Sequence, residues 1–149
     1  MEIDLKKTYP GEGGPVGWKR VSNPPNPENE GNVNLNAIYK PDDYVAAYAL
    51  TYLYSPVDQK VRFLLGVDDS VRVWLNDELI LSDKSGCHEA WPPHTATELT
   101  FVRKGWNKIL LRVSDECGGK WGFYFRTGDK QGRPLPGLKF DPNAMNNDQ

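Results

Sequence analysis

Apolar and polar residues alternate through Val61-Arg62-Phe63-Leu64-Leu65 and again through Val71-Arg72-Val73-Trp74-Leu75, with Asp68-Asp69 between the two runs. A two-residue period belongs to strands, because successive side chains leave opposite faces of the backbone. Asn76-Asp77 interrupts the alternation where a tight hairpin would turn. Similar runs predict strands near 44–54, 60–66, 71–76, 78–82, 95–102, 106–113 and 121–126. Their spacing, with no sustained helical period, predicts an all-β chain folded as a β-sandwich of the jelly-roll kind. We expect one domain over 1–149, with an irregular Pro/Gly-rich N-terminal segment (1–30) and a frayed C-terminal tail (127–149). Within the first segment Trp18–Val21 reads as a short edge strand, and Val33, Leu35 and Ile38 beyond it read as a further extended piece.

Strand order says which loops share an end. If consecutive strands run antiparallel, the turn at 67–70 and the loops at 83–94 and 114–120 fall together. That apex gathers Asp68, Asp69, Cys87, His88, Trp91, His94, Asp115, Glu116 and Cys117. The opposite end collects the connections at 55–59, 76–78 and 103–105, which read as ordinary tight turns.

Face parity adds a second candidate surface. Val61, Phe63, Leu65, Val71, Val73, Leu75, Ile109, Leu111, Val113, Trp121, Phe123 and Phe125 share the core parity. The opposite parity carries Arg62, Arg72, Trp74, Lys108, Arg112, Tyr124 and Arg126, which read as one basic, aromatic sheet face. Tyr48, Tyr52 and Tyr54 form a face of their own on strand 44–54.

Composition narrows the function. A net charge of −2 excludes a general nucleic-acid binder, which needs a basic excess. Mean hydropathy is −0.63, and no apolar run is long enough to span a membrane. The N-terminus lacks the charged, apolar and small-residue order of a signal peptide. Five Trp and seven Tyr exceed what a core of this size usually needs, which points to aromatics on a binding surface. A monomer is expected.

Asp68 and Asp69 suit calcium, a hard cation that takes several oxygen ligands. The competing role is an Asp that caps its own turn. Cys87 and Cys117 are the only cysteines, and a disulfide pinning the long loop suits a secreted domain. Zinc from Cys87, His88, His94 and Cys117 is disfavoured by spacing, and free thiols stay open. Asp115 and Glu116 are reminiscent of a glycosidase pair, but no cleft, nucleophile elbow or phosphate loop accompanies them, so no catalysis is expected. Trp91, stiffened by Pro92 and Pro93, offers an indole face for a sugar, with His88, His94, Asp115 and Glu116 as polar neighbours. The alternative for Trp91 is a lid folded over the core. On the sheet face, arginine forks suit uronate carboxylates, whereas cross-strand ion pairs would make the same residues structural.

Several segments together carry a family likeness: Ala46-Ala47-Tyr48-Ala49 leading to Ser55-Pro56, Leu65-Gly66-Val67-Asp68-Asp69, and Val73-Trp74-Leu75-Asn76. Lys104-Gly105-Trp106-Asn107-Lys108-Ile109-Leu110-Leu111 and Trp121-Gly122-Phe123 complete the set. Over roughly 44–140 the chain resembles the galactose-binding-like β-sandwich modules attached to bacterial secreted polysaccharide-degrading enzymes. Asp77 departs from the Gly usual after the hairpin Asn. A weaker resemblance is to PA14-type domains, some of which hold a sugar-coordinating calcium on an Asp pair. The likeness implies a non-catalytic module that binds a plant or algal polysaccharide, carried with a catalytic domain in a larger extracellular protein. The rival expectations are a structural or protein-interaction domain and a calcium-dependent PA14-like lectin.

Overall fold

In the computed structural model the residues described are 3–11, 13–20, 33–40, 44–84, 87 and 94–144. The strands in chain order are β1 (Thr8–Gly11), β2 (Gly14–Gly17), β3 (Val33–Asn34), β4 (Ala46–Ser55), β5 (Gln59–Asp68) and β6 (Ser70–Leu75). They continue as β7 (Glu78–Asp83), β8 (Thr95–Ala96), β9 (Thr100–Val102), β10 (Gly105–Ser114), β11 (Gly122–Gly128) and β12 (Lys139–Phe140). One sheet runs β12-β4-β10-β6-β7; the other runs β3-β11-β5-β8, with β9 also on β5. The chain is an all-β sandwich, as its alternation predicts.

Why two sheets form is visible in the burial. Val61, Phe63, Leu65 and Val67 of β5 meet Val71 and Val73 of β6, Ile109, Leu111 and Val113 of β10, and Phe123 of β11 in one core. Each strand buries one parity, which is how inner faces of a sandwich close on each other. The crossing from β5 to β6 at Asp68-Asp69 changes sheet, and its peptide bond is cis.

Five expectations are corrected. The predicted strand at 95–102 is two short pieces, β8 and β9, because Thr97 leaves the ladder to hydrogen-bond Phe63 through both its own N–H and its Oγ1. The irregular N-terminal segment contains the β1–β2 hairpin, where Gly11 is required because a Cβ would meet the Gly14 carbonyl at 2.8 Å. The edge strand expected from Trp18 does not form at Trp18–Arg20, and Val21 lies outside the described residues. After Leu35 the extended piece turns into a short 3-10 helix, and the tail beyond 127 returns to add β12 to β4.

The β6–β7 hairpin turns at Asn76 and Asp77, both at positive φ (48° and 72°), which the two-residue turn demands. Behind it Asn107 is fully buried, its amide donating to the Leu53, Arg103 and Gly105 carbonyls. Its Oδ1 accepts from the Arg103 N–H and the Asn76 amide. Replacing Asn107 with Leu strands several buried groups, so urea unfolding should show a loss of about 2 kcal/mol. An unchanged midpoint would mean that water replaces these bonds without cost.

Candidate functional site

At the apex, chain direction brings the acidic residues together. Asp68, Asp69 and Asp115 are 8%, 3% and 3% exposed. The β5–β6 crossing delivers the first two; the turn after β10 delivers the third. Asp69 Oδ2 accepts the Glu116 and Cys117 N–H groups at 2.8 and 3.0 Å. Asp115 accepts the Gly118 N–H at 3.1 Å and the Tyr44 N–H at 3.0 Å. Ser70 Oγ donates to Glu116 at 2.8 Å. Tyr44, at φ 56°, holds its ring 72% exposed above this turn.

Burial raises both buried carboxyl groups, but their neighbours separate them. Hydrogen bonds from Asp68, from the Glu116 and Cys117 N–H groups and from Asp115 bring Asp69 below the ordinary carboxylate value. For Asp115, burial together with the Asp69 charge outweighs the Tyr44 and Gly118 N–H groups, and its pKa is raised. A proton in this pair therefore resides on Asp115. The two groups act oppositely on stability. The Asp69 contribution is present above the ordinary value of 3.8 and disappears as pH falls through its lowered pKa. The Asp115 contribution is full below 3.8 and disappears as pH rises through its raised pKa. Asp115→Asn removes that second loss. Its stability deficit against the parent should narrow as pH rises from about 4 toward neutrality. Urea unfolding across that range checks it; a deficit constant with pH would refute the assignment.

A disulfide joins Cys87 to Cys117, with Cα atoms 5.9 Å apart. The pairing takes both thiolates out of the zinc reading, although Asp69 lies beside them. His94 is engaged with the sheet: its Nε2 lies 3.1 Å from the Val67 N–H and its own N–H donates to the Leu65 carbonyl. It thereby serves the β5 backbone. Trp91 and His88 lie outside the described residues.

The single basic face divides in two. Arg72, Trp74, Lys108 and Arg112 belong to the outer face of the β4-β10-β6 sheet; Arg62, Tyr124 and Arg126 belong to the outer face of the β11-β5 sheet. Parity along a strand tells inside from outside but not which of two sheets a residue joins. Arg62 is withdrawn further, its Nε buried and its Nη1 donating to the Lys130 carbonyl at 3.4 Å. Lys108 is paired to Asp77 at 2.5 Å.

In compensation, Tyr48, Tyr52 and Tyr54 join the first group. Register sets Tyr48 opposite Arg112, Tyr52 opposite Lys108 and Tyr54 opposite Trp106. Tyr48 and Trp74 face each other with ring centroids 6.4 Å apart and planes inclined at 32°. Leu110, 4% exposed although it has outer parity, lies between their strands. The β1–β2 hairpin and Trp18 form the facing wall, enclosing a cleft of about 910 Å³ that is also lined by Tyr9, Tyr39, Tyr48, Trp74 and Trp121. Trp121 is at its floor, its indole N–H donating to the Val113 carbonyl and its ring 6.3 Å from Tyr39. Sequence reasoning missed Tyr9 because the hairpin, exposed on both faces, lacks alternation, and Trp18 and Tyr39 because neither lies in a strand. The available signal was the surplus of aromatic residues.

No protein-family model matches the chain, and no curated protein does. Among solved structures, the chain is similar to part of a selenomethionine-labelled beta-glucosidase from Kluyveromyces marxianus, at 23% identity and a TM-score of 0.52. The match covers 68% of this chain and 13% of the glucosidase. The same enzyme in complex with glucose aligns at 24% identity and a TM-score of 0.49, with the same coverage. The likeness is one of fold. This chain thus corresponds to a small part of that protein's length. Among the described residues no helix is long and apolar enough to cross a membrane, and the disulfide is compatible with an oxidising, extracellular setting.

Proposed function

We propose that this chain is a non-catalytic carbohydrate-binding module of a larger extracellular protein, working beside a catalytic domain. The observation that carries this reading is the cleft bordered by Tyr48 and Trp74. A sugar ring offers a flat face of C–H groups, and an indole or phenol held by a sheet meets it at low entropic cost. The opening between hairpin and sheet is of the size that ligand pockets usually have. The fold shared with a segment of a glycosidase supports an accessory role. Affinity electrophoresis against a broad panel of plant and algal polysaccharides tests the reading. Retardation lost on removal of Trp74 supports it; uniform mobility across the panel would favour a purely structural domain.

A second, calcium-dependent reading draws on the apex. Asp69 lies at hydrogen-bonding range of both Asp68 and Asp115, and a divalent cation takes hard carboxylate oxygens of this kind. Asp68 and Asp69 would hold it and Asp115 would adjoin it. With millimolar calcium the melting temperature should rise and with EDTA it should fall; equal melting curves would discard this reading.

A further inference from the structure

We infer that the sugar taken by the Tyr48–Trp74 cleft bears an anionic group, carboxylate or sulfate ester, and that Arg72 and Arg112 bind it. The inference rests on the carbohydrate-binding reading and names its ligand class. Register sets Arg112 directly opposite Arg72 on the outer face, with Tyr48 on the other side of Arg112. Directly opposed residues stand with Cβ atoms about 4.5–5.5 Å apart, and like charges there repel. A structural sheet face would relieve this with carboxylates. Among the described residues neither arginine forms an ion pair; Arg112 donates only to Ser114 Oγ at 2.9 Å. Lys108, on the same face, shows what relief looks like, since Asp77 neutralises it.

The position of the pair is equally telling. Trp74 lies opposite Leu110, and Tyr48, Arg112 and Arg72 form the adjacent row of the same face, so the arginines continue the row of Tyr48 beside the residues that line the cleft. A ring stacked on Tyr48 or Trp74 would bring a substituent to two half-buried guanidinium forks. Such forks bind planar carboxylate or tetrahedral sulfate through paired N–H donors. An oxyanion between them turns a repulsive pair into two attractive contacts.

The test is affinity electrophoresis of the protein and of Arg72→Gln, Arg112→Gln and Lys104→Gln on matched polysaccharides. The panel holds homogalacturonan with its methyl ester, κ-carrageenan with its desulfated form, and neutral galactan and xyloglucan. Lys104 is an exposed cation in the turn at the opposite end and controls for net charge. We expect retardation by an acidic polysaccharide, weakened at least about 10-fold by either arginine substitution and unchanged by Lys104→Gln. Esterified or desulfated partners should lose the effect, and which of them does so separates carboxylate from sulfate. Melting temperatures of the arginine variants should stay level or rise, because a repulsion has gone. A fall in melting temperature, or equal weakening by Lys104→Gln, would overturn the inference. Binding to neutral glycans alone, indifferent to both arginines, would overturn it while sparing the carbohydrate reading. No binding to any of them would end both.

Discussion

Replacing Cys87 and Cys117 with serine is expected to lower the unfolding free energy by about 3–4 kcal/mol. The bond closes a loop of 30 residues. Chain-entropy estimates for that length give the stated cost, since the open unfolded chain regains freedom that the bridge removes. For a domain of this size the melting temperature should fall by roughly 10 °C. The effect reaches the apex directly. Cys117 and Glu116 present the N–H groups that hold Asp69 Oδ2, and Gly118 holds Asp115. Once Cys117 is released, hydrogen exchange at these amides should quicken more than exchange at the β10 amides. Thermal melts with and without reductant check the magnitude. A shift of only a degree or two would mean that the amide–carboxylate contacts hold the turn without the bridge.

The second large effect concerns binding. Trp74→Ala should weaken retention by the recognised glycan about 30-fold or more, the loss of a central aromatic contact worth about 2 kcal/mol. Trp106→Ala is the control. Trp106 shares the outer face but packs edge-on against Tyr54 at 5.4 Å, away from the cleft lining. It should leave affinity unchanged. If both substitutions weaken binding equally, the whole tyrosine-bearing face is the platform; if neither does, the glycan sits elsewhere, with the loop around Trp91 next to be tested. Both variants should stay folded, because each indole lies on the outer face while the core is built from the opposite parity.

Alternation is a local property, and Val61 to Leu65, Val71 to Leu75 and Ile109 to Val113 all bury the parity they were expected to bury. Chain direction is nearly local too, since short turns must reverse a strand. Asp68, Asp69, Asp115 and Cys117 therefore meet at one end, as strand counting implies. The turn at Asn76-Asp77 was likewise legible from residue types that tolerate positive φ.

Partnership between strands is another matter. No local pattern told that β5 pairs with β11 while β6 pairs with β10, so Arg62 and Arg72 seemed to share a face that two sheets in fact divide. The same ignorance of pairing set Tyr48 apart from Trp74, although β10 places them on one surface. The hairpin wall of the cleft was hidden for a related reason. Its residues 8–17 bury little and so carry no alternation, and only the cleft brings Tyr9 together with Trp18, which follows the hairpin. By itself, then, the sequence determined which residues turn inward and which loops share an end, because period and reversal are properties of adjacent residues. Only the tertiary structure decided which outward residues become neighbours, because that depends on contacts between segments far apart in the chain.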